Sequence, residues 1–459
     1  MSTGSSHAAS FTPVEAQVER KPWLMPLVKT SLVVTAFFAN GNFSDGVIPN
    51  SETSNLQQYI SIVGWVVIAV ASYMRRPAVR VEAAAGLYVG LLFYAFAMAS
   101  VAWSANPVAS LPKSVALGIT LFGAYRLVTI MAAGEIAECM LHGLFALCLA
   151  SIALALFVPS IGVLNNWQHA GQWNGIFFSK QTLGISGALL MFLGACRLIS
   201  PPRRAYHFAA AVAGLLCVVG SGSRGGGALA AVSVACLFFT RASLRFARTA
   251  AWAPVAMSFA GCAIVVYFIS TGYPAFMIAG EDYNFTERTF IWQHALGYFR
   301  DAPWFGFGLN GFWTIAEVKD LFIERYHWFL DNFHDGYIAI LMETGIIGFG
   351  LFVLSYVFYA LRIRLNIRRD GRLDDDGSLM LVYTCMMFFI DFTETLFMRS
   401  TNISATLLAI SLFVAYVRPY TRSLVQNGTV PPPPLELAPG SAPPPRPWER
   451  PTGVSAWER

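Results

Sequence analysis

The sequence predicts an all-α integral membrane protein with about twelve transmembrane helices and one long external loop. The first observation is composition: 56% of the residues are hydrophobic, only 12% are charged, and the mean hydropathy is +0.54. Soluble domains carry about 25% charged residues. The second observation is a series of apolar runs close to the roughly 20 residues that a helix needs to cross a bilayer. The third is that basic clusters recur in alternate loops, which sets the orientation of such helices.

The apolar runs give the positions of the predicted spans, some of which are short or interrupted. They are 23–40, 57–74, 83–103, 111–133, 136–158, 181–199, 205–220, 225–240, 251–270, 335–361, 378–398 and 402–418. Lys and Arg cluster near residues 20, 76, 203, 245 and 367 and again in the C-terminal tail. Because basic loops stay in the cytoplasm, these loops and both termini are predicted to be cytoplasmic.

Four segments follow from this topology. Residues 1–22 form a polar cytoplasmic tail, 23–418 the membrane domain, and 419–459 a proline-rich cytoplasmic tail. The long external loop, residues 271–333, has too many aromatic side chains for a solvated coil. We expect short amphipathic helices in this loop that bend at its glycines and close over a site as a lid. A static interfacial cap is the alternative.

Several function classes are disfavoured. The glycines of "GSGSRGGG" match the G-x-G-x-x-G spacing of a dinucleotide site, but apolar segments flank them and no carboxylate lies between Glu138 and Glu281. The seven cysteines lack C-x-x-C spacing, and no D-x-D or H-x-x-H cluster lies on the outer side, so the sequence predicts no cofactor and no metal. The net charge of +5 is divided among short loop clusters, which argues against a nucleic-acid partner.

Three outward positions carry the candidate chemistry. Arg224 lies in a Gly/Ser turn, Arg288 in "FTERTFIWQHAL", and His334 at the mouth of the tenth span. Alone, either arginine can bind lipid headgroups and the histidine can serve as an interfacial cap. Together the three residues suit a reaction on a diphosphate, because guanidinium groups bind diphosphate oxygens and an imidazole takes a proton near neutral pH. The set therefore predicts transfer from a lipid diphosphate.

Further polar residues lie near the same outer ends of the spans. Lys180 opens the sixth span and can contact a phosphate or anchor headgroups. Carboxylates within spans are functional candidates, and here they can orient the arginines or His334, or form a structural ion pair. These carboxylates are Glu343 in the tenth span, and Asp391 and Glu394 near the outer end of the eleventh. The predicted substrate-binding residues are Lys180, Ser223, Asp335, Glu343, Glu394 and Arg399.

Four stretches of the chain resemble the O-antigen ligase and polymerase superfamily of bacterial envelope proteins. Three are "NGIFFSKQTLG", "GSGSRGGGALA" and "HDGYIAILMETGIIG", which stand in the family's order with the long loop before the last. The fourth, "ERTFIWQHALGYFRDAPWFGFGLNGFW", resembles the exopolysaccharide-polymerase branch through R-x-x-x-W and a P-x-x-G-x-G turn. The resemblance covers about residues 57–418. It implies a metal-independent, all-helical fold like that of type C glycosyltransferases.

The resemblance also implies roles and partners. Arg224 and Arg288 match arginines that hold the diphosphate, and His334 matches a histidine that activates the acceptor hydroxyl. Asp335 stands where the family often has Asn, and Ser179, Lys180 and Gln181 replace a His-Lys-Asn-like triplet. The implied partners are undecaprenyl-diphosphate-linked oligosaccharide, an acceptor glycan, the lipid bilayer, a chain-length regulator and a flippase. The implied location is the bacterial inner membrane, with a periplasmic active site.

We therefore expect a polymerase that joins lipid-diphosphate-linked repeats into exopolysaccharide. A ligase that moves a finished glycan onto a lipid A core or a protein needs the same donor and acceptor groups, so the sequence separates the two poorly. A transporter is the alternative from another class. Transporters commonly show internal repeats and helices broken at the midplane, and the sequence shows neither convincingly.

Overall fold

The computed structural model describes residues 21–48, 56–75, 77, 79–165, 169–199, 204–273, 276–278, 281–283, 288–326, 332–399 and 402–419. The chain divides into two units, Met1–Arg418 and Pro419–Arg459. The first unit is a bundle of helices. Nearly all of the second unit, and the predicted N-terminal tail, lie outside the described residues.

Sixteen α-helices are described, and the chain order fixes their labels. The first eight are α1 (Leu24–Phe38), α2 (Leu56–Tyr73), α3 (Ala85–Ala99), α4 (Pro107–Ile130), α5 (Ala133–Phe157), α6 (Pro159–Gly162), α7 (Lys180–Ile199) and α8 (Ala205–Ser221). The others are α9 (Arg224–Ala242), α10 (Leu244–Ala250), α11 (Ala253–Thr271), α12 (Arg288–Gly297), α13 (Ala316–Tyr326), α14 (Gly336–Asp370), α15 (Asp375–Ile390) and α16 (Ile403–Val414).

Strands make up little of the described chain. They are β1 (Val79–Val81), β2 (Phe276–Ile278), β3 (Glu281–Tyr283) and β4 (Val417–Pro419). Strands β2 and β3 form an antiparallel hairpin in the long loop, with Phe276 opposite Tyr283. The prediction of a mostly helical membrane protein is therefore confirmed, with a small hairpin that the sequence did not predict.

Among the described residues, eight helices are long and apolar enough to cross a membrane. Three shorter apolar helices, α1, α8 and α16, coincide with predicted spans. The predicted span 378–398 differs, because α15 ends at Ile390 and residues 391–399 form a connection. The Asp391 carboxylate there accepts the backbone N–H groups of Leu396 (2.7 Å) and Phe397 (3.2 Å), which turns the chain.

Small residues set the packing of α7 against its neighbours. A Cβ added at Gly187 would lie 2.7 Å from the Gly214 carbonyl oxygen, so α7 and α8 approach at backbone distance. In the same way, a Cβ at Gly226 would lie 2.7 Å from the Gly184 carbonyl carbon, which places the start of α9 against the start of α7. Small residues commonly allow such crossings between membrane helices. These crossings bring the first turns of α7 and α9 together.

The two ends of the bundle carry different ion pairs. We call the end with Arg197, Arg241 and Arg362 the basic end, and the opposite end, where α7, α9 and α14 begin, the site end. At the basic end, Arg197 pairs with Glu138 at 2.7 Å, Arg241 pairs with Asp375 at 2.5 Å, and Arg362 pairs with Glu82. The first two pairs join helices that are distant in sequence, and the third joins α14 to the segment between β1 and α3.

The described part of the long loop is packed. Trp292, Phe312 and Phe333 are fully buried, and the Trp292 indole N–H donates to the Phe333 carbonyl at 2.9 Å. Ring centroids of Phe312 and Phe333 lie 5.3 Å apart. Burial of these rings agrees with the expectation that the loop is no solvated coil. Whether the loop moves as a lid stays a prediction.

Candidate functional site

The Gly/Ser turn places Arg224 at the first residue of α9. Gly222 ends α8 with φ of 56°, a left-handed conformation that glycine adopts without strain. Ser223 then caps α9, because its Oγ accepts the Gly226 N–H at 3.1 Å. Ser223 thus makes a structural contact. Arg224 is exposed and forms no ion pair with a residue that the structure describes. Its guanidinium and the helix N-terminus together favour an anion.

Lys180 lies beside this turn. It begins α7, one turn before Gly184, and its charge repels that of Arg224. The Lys180 Nζ donates to Gln172 Oε1 at 2.5 Å and lies 3.2 Å from His169 Nδ1. Gln172 is a neutral acceptor. Neither cation pairs with a carboxylate among the residues that the structure describes, so together they form a local excess of positive charge, which an anionic ligand would neutralise.

The carboxylate of Glu394 lies between the other two candidate residues. Its Oε1 accepts a hydrogen bond from Arg288 Nη2 at 3.0 Å, and its Oε2 lies 3.9 Å from His334 Nδ1. The first contact is a charge-assisted hydrogen bond; the second exceeds hydrogen-bond length. The sequence predicted that carboxylates here orient the arginines or His334, and Glu394 contacts both. The other imidazole nitrogen, Nε2, is left for a ligand.

Surrounding contacts hold His334 in a strained backbone conformation. Its φ is 51°, which is uncommon outside glycine, and its N–H donates to Asn332 Oδ1 at 3.0 Å. Gly336 follows two residues later, and a side chain there would collide with the Asp391 carboxylate. The Gly336 N–H instead donates to the Asp391 carbonyl at 2.6 Å. Such strain persists where surrounding contacts fix the backbone, as they do here.

Asp335 has a structural position. Its Oδ1 accepts the Ile338 N–H at 2.8 Å and so caps α14, and the side chain is buried. Its backbone N–H donates to Thr395 Oγ1 at 3.2 Å. Burial raises the pKa of Asp335 to about 7 and raises that of Asp391 well above its usual value. Asp335 therefore orients His334 through the backbone, and its carboxylate does not line the cavity described below.

The P-x-x-G-x-G turn fills a break in α14. Gly345 has φ of 67° and ψ of −171°, which interrupts the helix. Backbone groups of residues 303–308 bind the N–H and C=O groups of α14 that lose their helical partners at this break. The Phe307 N–H donates to Met342 O at 2.8 Å, and the Ile346 N–H donates to Pro303 O at 2.9 Å. Gly306 is needed for packing, since a Cβ there would lie 2.6 Å from the Glu343 carbonyl carbon. Gly306, at one of the predicted bends, is therefore packed against α14, and whether the loop closes through these glycines stays a prediction.

Glu343 and Arg399 meet next to this turn. The Asn310 N–H hydrogen bonds to the buried Glu343 carboxyl, and Arg399 interacts with the same carboxyl through its charge. Arg399 Nη1 donates to Asn310 Oδ1 at 2.6 Å. Asn310 has a positive φ of 55° and links the two residues. Glu343 thus supports the loop and Arg399, and only Arg399 of the pair reaches open space.

A cavity of about 670 Å³ opens at the site end, within the roughly 300–1,000 Å³ common for ligand sites. Of the predicted substrate-binding residues, Glu394 and Arg399 line it. We call it the amide cavity, because eight amide side chains contribute to its wall. They are Asn40, Asn42, Gln57, Gln58, Asn106, Asn310, Asn332 and Asn402. The sequence did not predict this lining, because its members come from segments that are far apart in the chain.

The Arg224 turn adjoins the connection that carries Glu394. A Cβ added at Gly225 would lie 3.6 Å from Ile390 Cδ1 and 3.9 Å from Thr393 Oγ1. Since Glu394 follows Thr393, the start of α9 is next to the Arg288–Glu394–His334 group. Within the described residues, no group of three or more His, Cys, Asp or Glu side chains is placed to hold a metal.

These features define a polytopic helical membrane protein with a cation-rich site at one end of its bundle. Residues 209–353 match a family model described as O-Antigen ligase, a stretch that contains Arg224, Arg288 and His334. The chain is also 29% identical, over 210 residues, to the exopolysaccharide production protein ExoQ of Rhizobium meliloti. That alignment covers 43% of this chain and 48% of the relative, about half of its length. The resemblance to the O-antigen ligase and polymerase superfamily is therefore confirmed.

Proposed function

We propose that the protein is a glycosyltransferase that joins undecaprenyl-diphosphate-linked oligosaccharide repeats into exopolysaccharide. The observation that carries the proposal is the shared carboxylate of Glu394, which lies 3.0 Å from Arg288 and 3.9 Å from His334. It brings a guanidinium group, which can bind a diphosphate, near an imidazole, which can accept a proton. The match to an O-antigen ligase family and the likeness to an exopolysaccharide production protein support the same class of reaction.

In the proposed reaction, the acceptor hydroxyl oxygen attacks the anomeric carbon of the donor sugar. The new carbon–oxygen bond forms as the bond from that carbon to the diphosphate oxygen breaks, so the configuration is inverted. His334 Nε2 takes the hydroxyl proton, while Nδ1 faces Glu394. Arg224 and Arg288, with the start of α9, stabilise the departing lipid diphosphate, where negative charge develops. Lys180 adds to that stabilisation.

The membrane orientation is part of the proposal. The site end faces the periplasm, the basic end and both termini face the cytoplasm of the inner membrane, and the twelve spans alternate between them. A chain-length regulator and a flippase would then act on the same lipid-linked pool. The test is labelling of single cysteines in whole cells, in a background without the seven native cysteines. An impermeant reagent should label position 224 and not position 245; the reverse pattern would overturn the site.

The ligase remains the second candidate, since the family is described by that activity. A polymerase and a ligase differ in what a deletion strain accumulates. Loss of the polymerase should leave single lipid-linked repeats and no long chains. Loss of a ligase should leave long chains on the lipid and none on the final acceptor. Mass spectrometry of the lipid-linked pool distinguishes these outcomes, and an unchanged pool would contradict both.

A further inference from the structure

The amide cavity has a wall in which most of the amide groups are held in one orientation. Six of its eight amide side chains accept a hydrogen bond from the protein through their oxygen atom. Four of the donors are backbone N–H groups, and two are cationic side chains. In chain order, Gln57 accepts from Phe43, Gln58 from Lys113, Asn106 from Ala109, Asn310 from Arg399, Asn332 from His334 and Asn402 from Ser404.

These partners determine which atom of each amide faces the protein. Backbone N–H, ammonium and guanidinium groups donate and do not accept, so each can bond only to the amide oxygen and not to the NH2 group. The NH2 group is then turned away from that partner, and it can only donate. The NH2 groups of Asn106 and Asn402 form no hydrogen bond with a residue that the structure describes. A ligand in the cavity therefore meets hydrogen-bond donors at these positions.

Two further groups of the wall are buried and lack a partner. Gln57 Nε2 and Ser61 Oγ have no hydrogen-bond partner within the described structure, and their residues are 6% and 1% exposed. They lie one turn apart on α2, and both residues line the cavity. Buried polar groups without partners are uncommon in folded proteins, which indicates that a ligand supplies the missing bonds.

We propose that the amide cavity is the binding site of the acceptor glycan. The hydroxyl and ring oxygens of its sugars accept hydrogen bonds from the NH2 groups of Gln57, Asn106 and Asn402, and the Ser61 hydroxyl bonds to a sugar hydroxyl. Sugar oxygens suit such a wall, because each hydroxyl can accept as well as donate. The inference rests on the proposed function, and it adds the place where the acceptor binds and the side chains that hold it.

The contacts of the cavity wall favour the acceptor over the donor. Glu394 and Asn332 line the cavity; Glu394 lies 3.9 Å from the imidazole of His334, and Asn332 accepts the backbone N–H of the same residue. Arg224 and Lys180, which the proposed function assigns to the donor diphosphate, do not line it. A glycan in the cavity therefore lies on the side of the proposed base, where its hydroxyl can lose a proton.

The first test uses full-length purified protein and an acceptor that cannot act as a donor. The lipid-linked repeat from a deletion strain is the donor, and the same repeat released from its lipid diphosphate is the acceptor, since it has no leaving group. Mass spectrometry measures the lengthened, lipid-free product. Asn106→Ser and Asn402→Ser keep a residue that caps helices well but lose the NH2 group. Each should raise KM for the released repeat about three- to ten-fold, with kcat within about two-fold.

Asp374→Ser is the matched control for these two variants, because Asp374 also caps a helix, accepting the Gly377 N–H at 2.7 Å, but does not line the cavity. It should leave KM for the released repeat unchanged. Binding of the lipid-linked donor should also be unchanged in Asn106→Ser and Asn402→Ser. Equal losses of donor and acceptor affinity would place the donor sugar in the cavity and overturn the inference.

The second test removes a buried hydroxyl that has no partner in the protein. Ser61→Ala should raise KM for the released repeat at least about three-fold, whereas its melting temperature should stay the same or rise, because the free protein loses no hydrogen bond. Ser114→Ala is the matched control. The Ser114 hydroxyl, on α4, is also buried and without a partner in the described structure, but the residue does not line the cavity. A Ser61→Ala variant with the KM of the wild-type protein would contradict the inference.

The wild-type protein separates failure of the inference from failure of the proposed function. Polymerisation of the lipid-linked repeat without any extension of the released repeat would overturn the inference and leave the transferase standing. Absence of any polymerisation would contradict the proposed function and the inference with it.

Discussion

The two ends of the bundle treat their arginines differently. At the basic end, Arg197 and Arg241 each pair with a carboxylate from another helix. At the site end, Arg224 has no ion pair among the described residues, and Arg288 shares its carboxylate with His334. A paired arginine joins helices, whereas an unpaired arginine at a helix N-terminus keeps its charge available for an anion. The positions of the carboxylates, more than those of the arginines, therefore distinguish the arginines that join helices from those that are available to a ligand.

The same contrast extends to two histidines. His207, at the basic end, is fully buried; its Nε2 lies 2.9 Å from Glu138, and its Nδ1 accepts the Arg204 N–H at 3.2 Å. Both ring nitrogens are therefore engaged, and the residue holds the start of α8. His334 has a partly exposed ring whose Nδ1 alone faces a carboxylate. One nitrogen remains for a substrate, as a general base requires.

The largest effect is expected from His334→Ala. Turnover should fall by about 10²–10⁴-fold, because that is the usual contribution of a general base. Donor binding should remain, since the proposed diphosphate contacts come from Arg224 and Arg288. The measurement is single-turnover kinetics together with binding of the lipid-linked donor to purified protein. Arg224→Ala provides the comparison and should lose donor binding. If His334→Ala lost it as completely, the assignment of a base would be wrong.

A smaller but still large effect is expected when lysine replaces arginine at each end. Arg224→Lys keeps the charge but loses the planar fork that binds two phosphate oxygens, so activity should fall at least about ten-fold. Arg241→Lys, at the basic end, should change activity less than about two-fold, since its partner is Asp375 and no substrate. Polymer yield and donor affinity of the two variants are the readouts. Equal losses in both would remove the distinction between the ends.

The shared carboxylate gives the next prediction. Glu394→Gln preserves the shape of the side chain but removes the charge that lies between Arg288 and His334. We expect kcat to fall about ten-fold, because an imidazole that gains a proton loses its stabilising partner. Glu138→Gln is the control at the basic end, and it should lower the melting temperature more than it lowers kcat. A Glu394→Gln variant with normal kcat and reduced stability would identify a purely structural ion pair.

Much of this contrast was predictable from sequence, and the reason is local. Apolar runs give helices, and a Gly/Ser turn between two of them gives the start of α9 with Arg224 on it. The end of α15 was not predictable, because the apolar run continues past Ile390 and only the Asp391 carboxylate turns the chain. Hydropathy gives the length of an apolar segment, but it does not show that one side chain accepts hydrogen bonds from two backbone N–H groups and so ends the helix.

The rest of the site depends on contacts between distant segments. The break at Gly345 is stable because residues 303–308 supply the hydrogen bonds that α14 gives up. The amide cavity gathers side chains from α2, from α4 and from the connection after α15. A single asparagine or glutamine in an apolar sequence carries no signal of such a cavity. The sequence therefore identified the charged candidate residues and missed the amide cavity beside them.

The smallest expected effect concerns Asp335, which stands directly after His334. In an unfolded chain its carboxyl ionises near pH 4, whereas burial in the fold raises its pKa to about 7. Between these values the folded protein holds a proton that the unfolded chain has lost. Raising the pH through this window therefore lowers the free energy of unfolding. Asp391, whose pKa burial also raises, contributes in the same direction.

The prediction follows from removing one of these two carboxyls. Asp335→Asn keeps a residue that caps helices well but cannot titrate. Between pH 5 and pH 8, the melting temperature of the wild-type protein in detergent should fall by at least about 2 °C more than that of Asp335→Asn. Asp374→Asn is the matched control, because Asp374 caps α15 in the same way at an exposed position, accepting the Gly377 N–H at 2.7 Å. That variant should keep the wild-type slope. An Asp335→Asn slope equal to the wild-type slope would mean that Asp335 is ionised in the folded protein and would contradict the prediction.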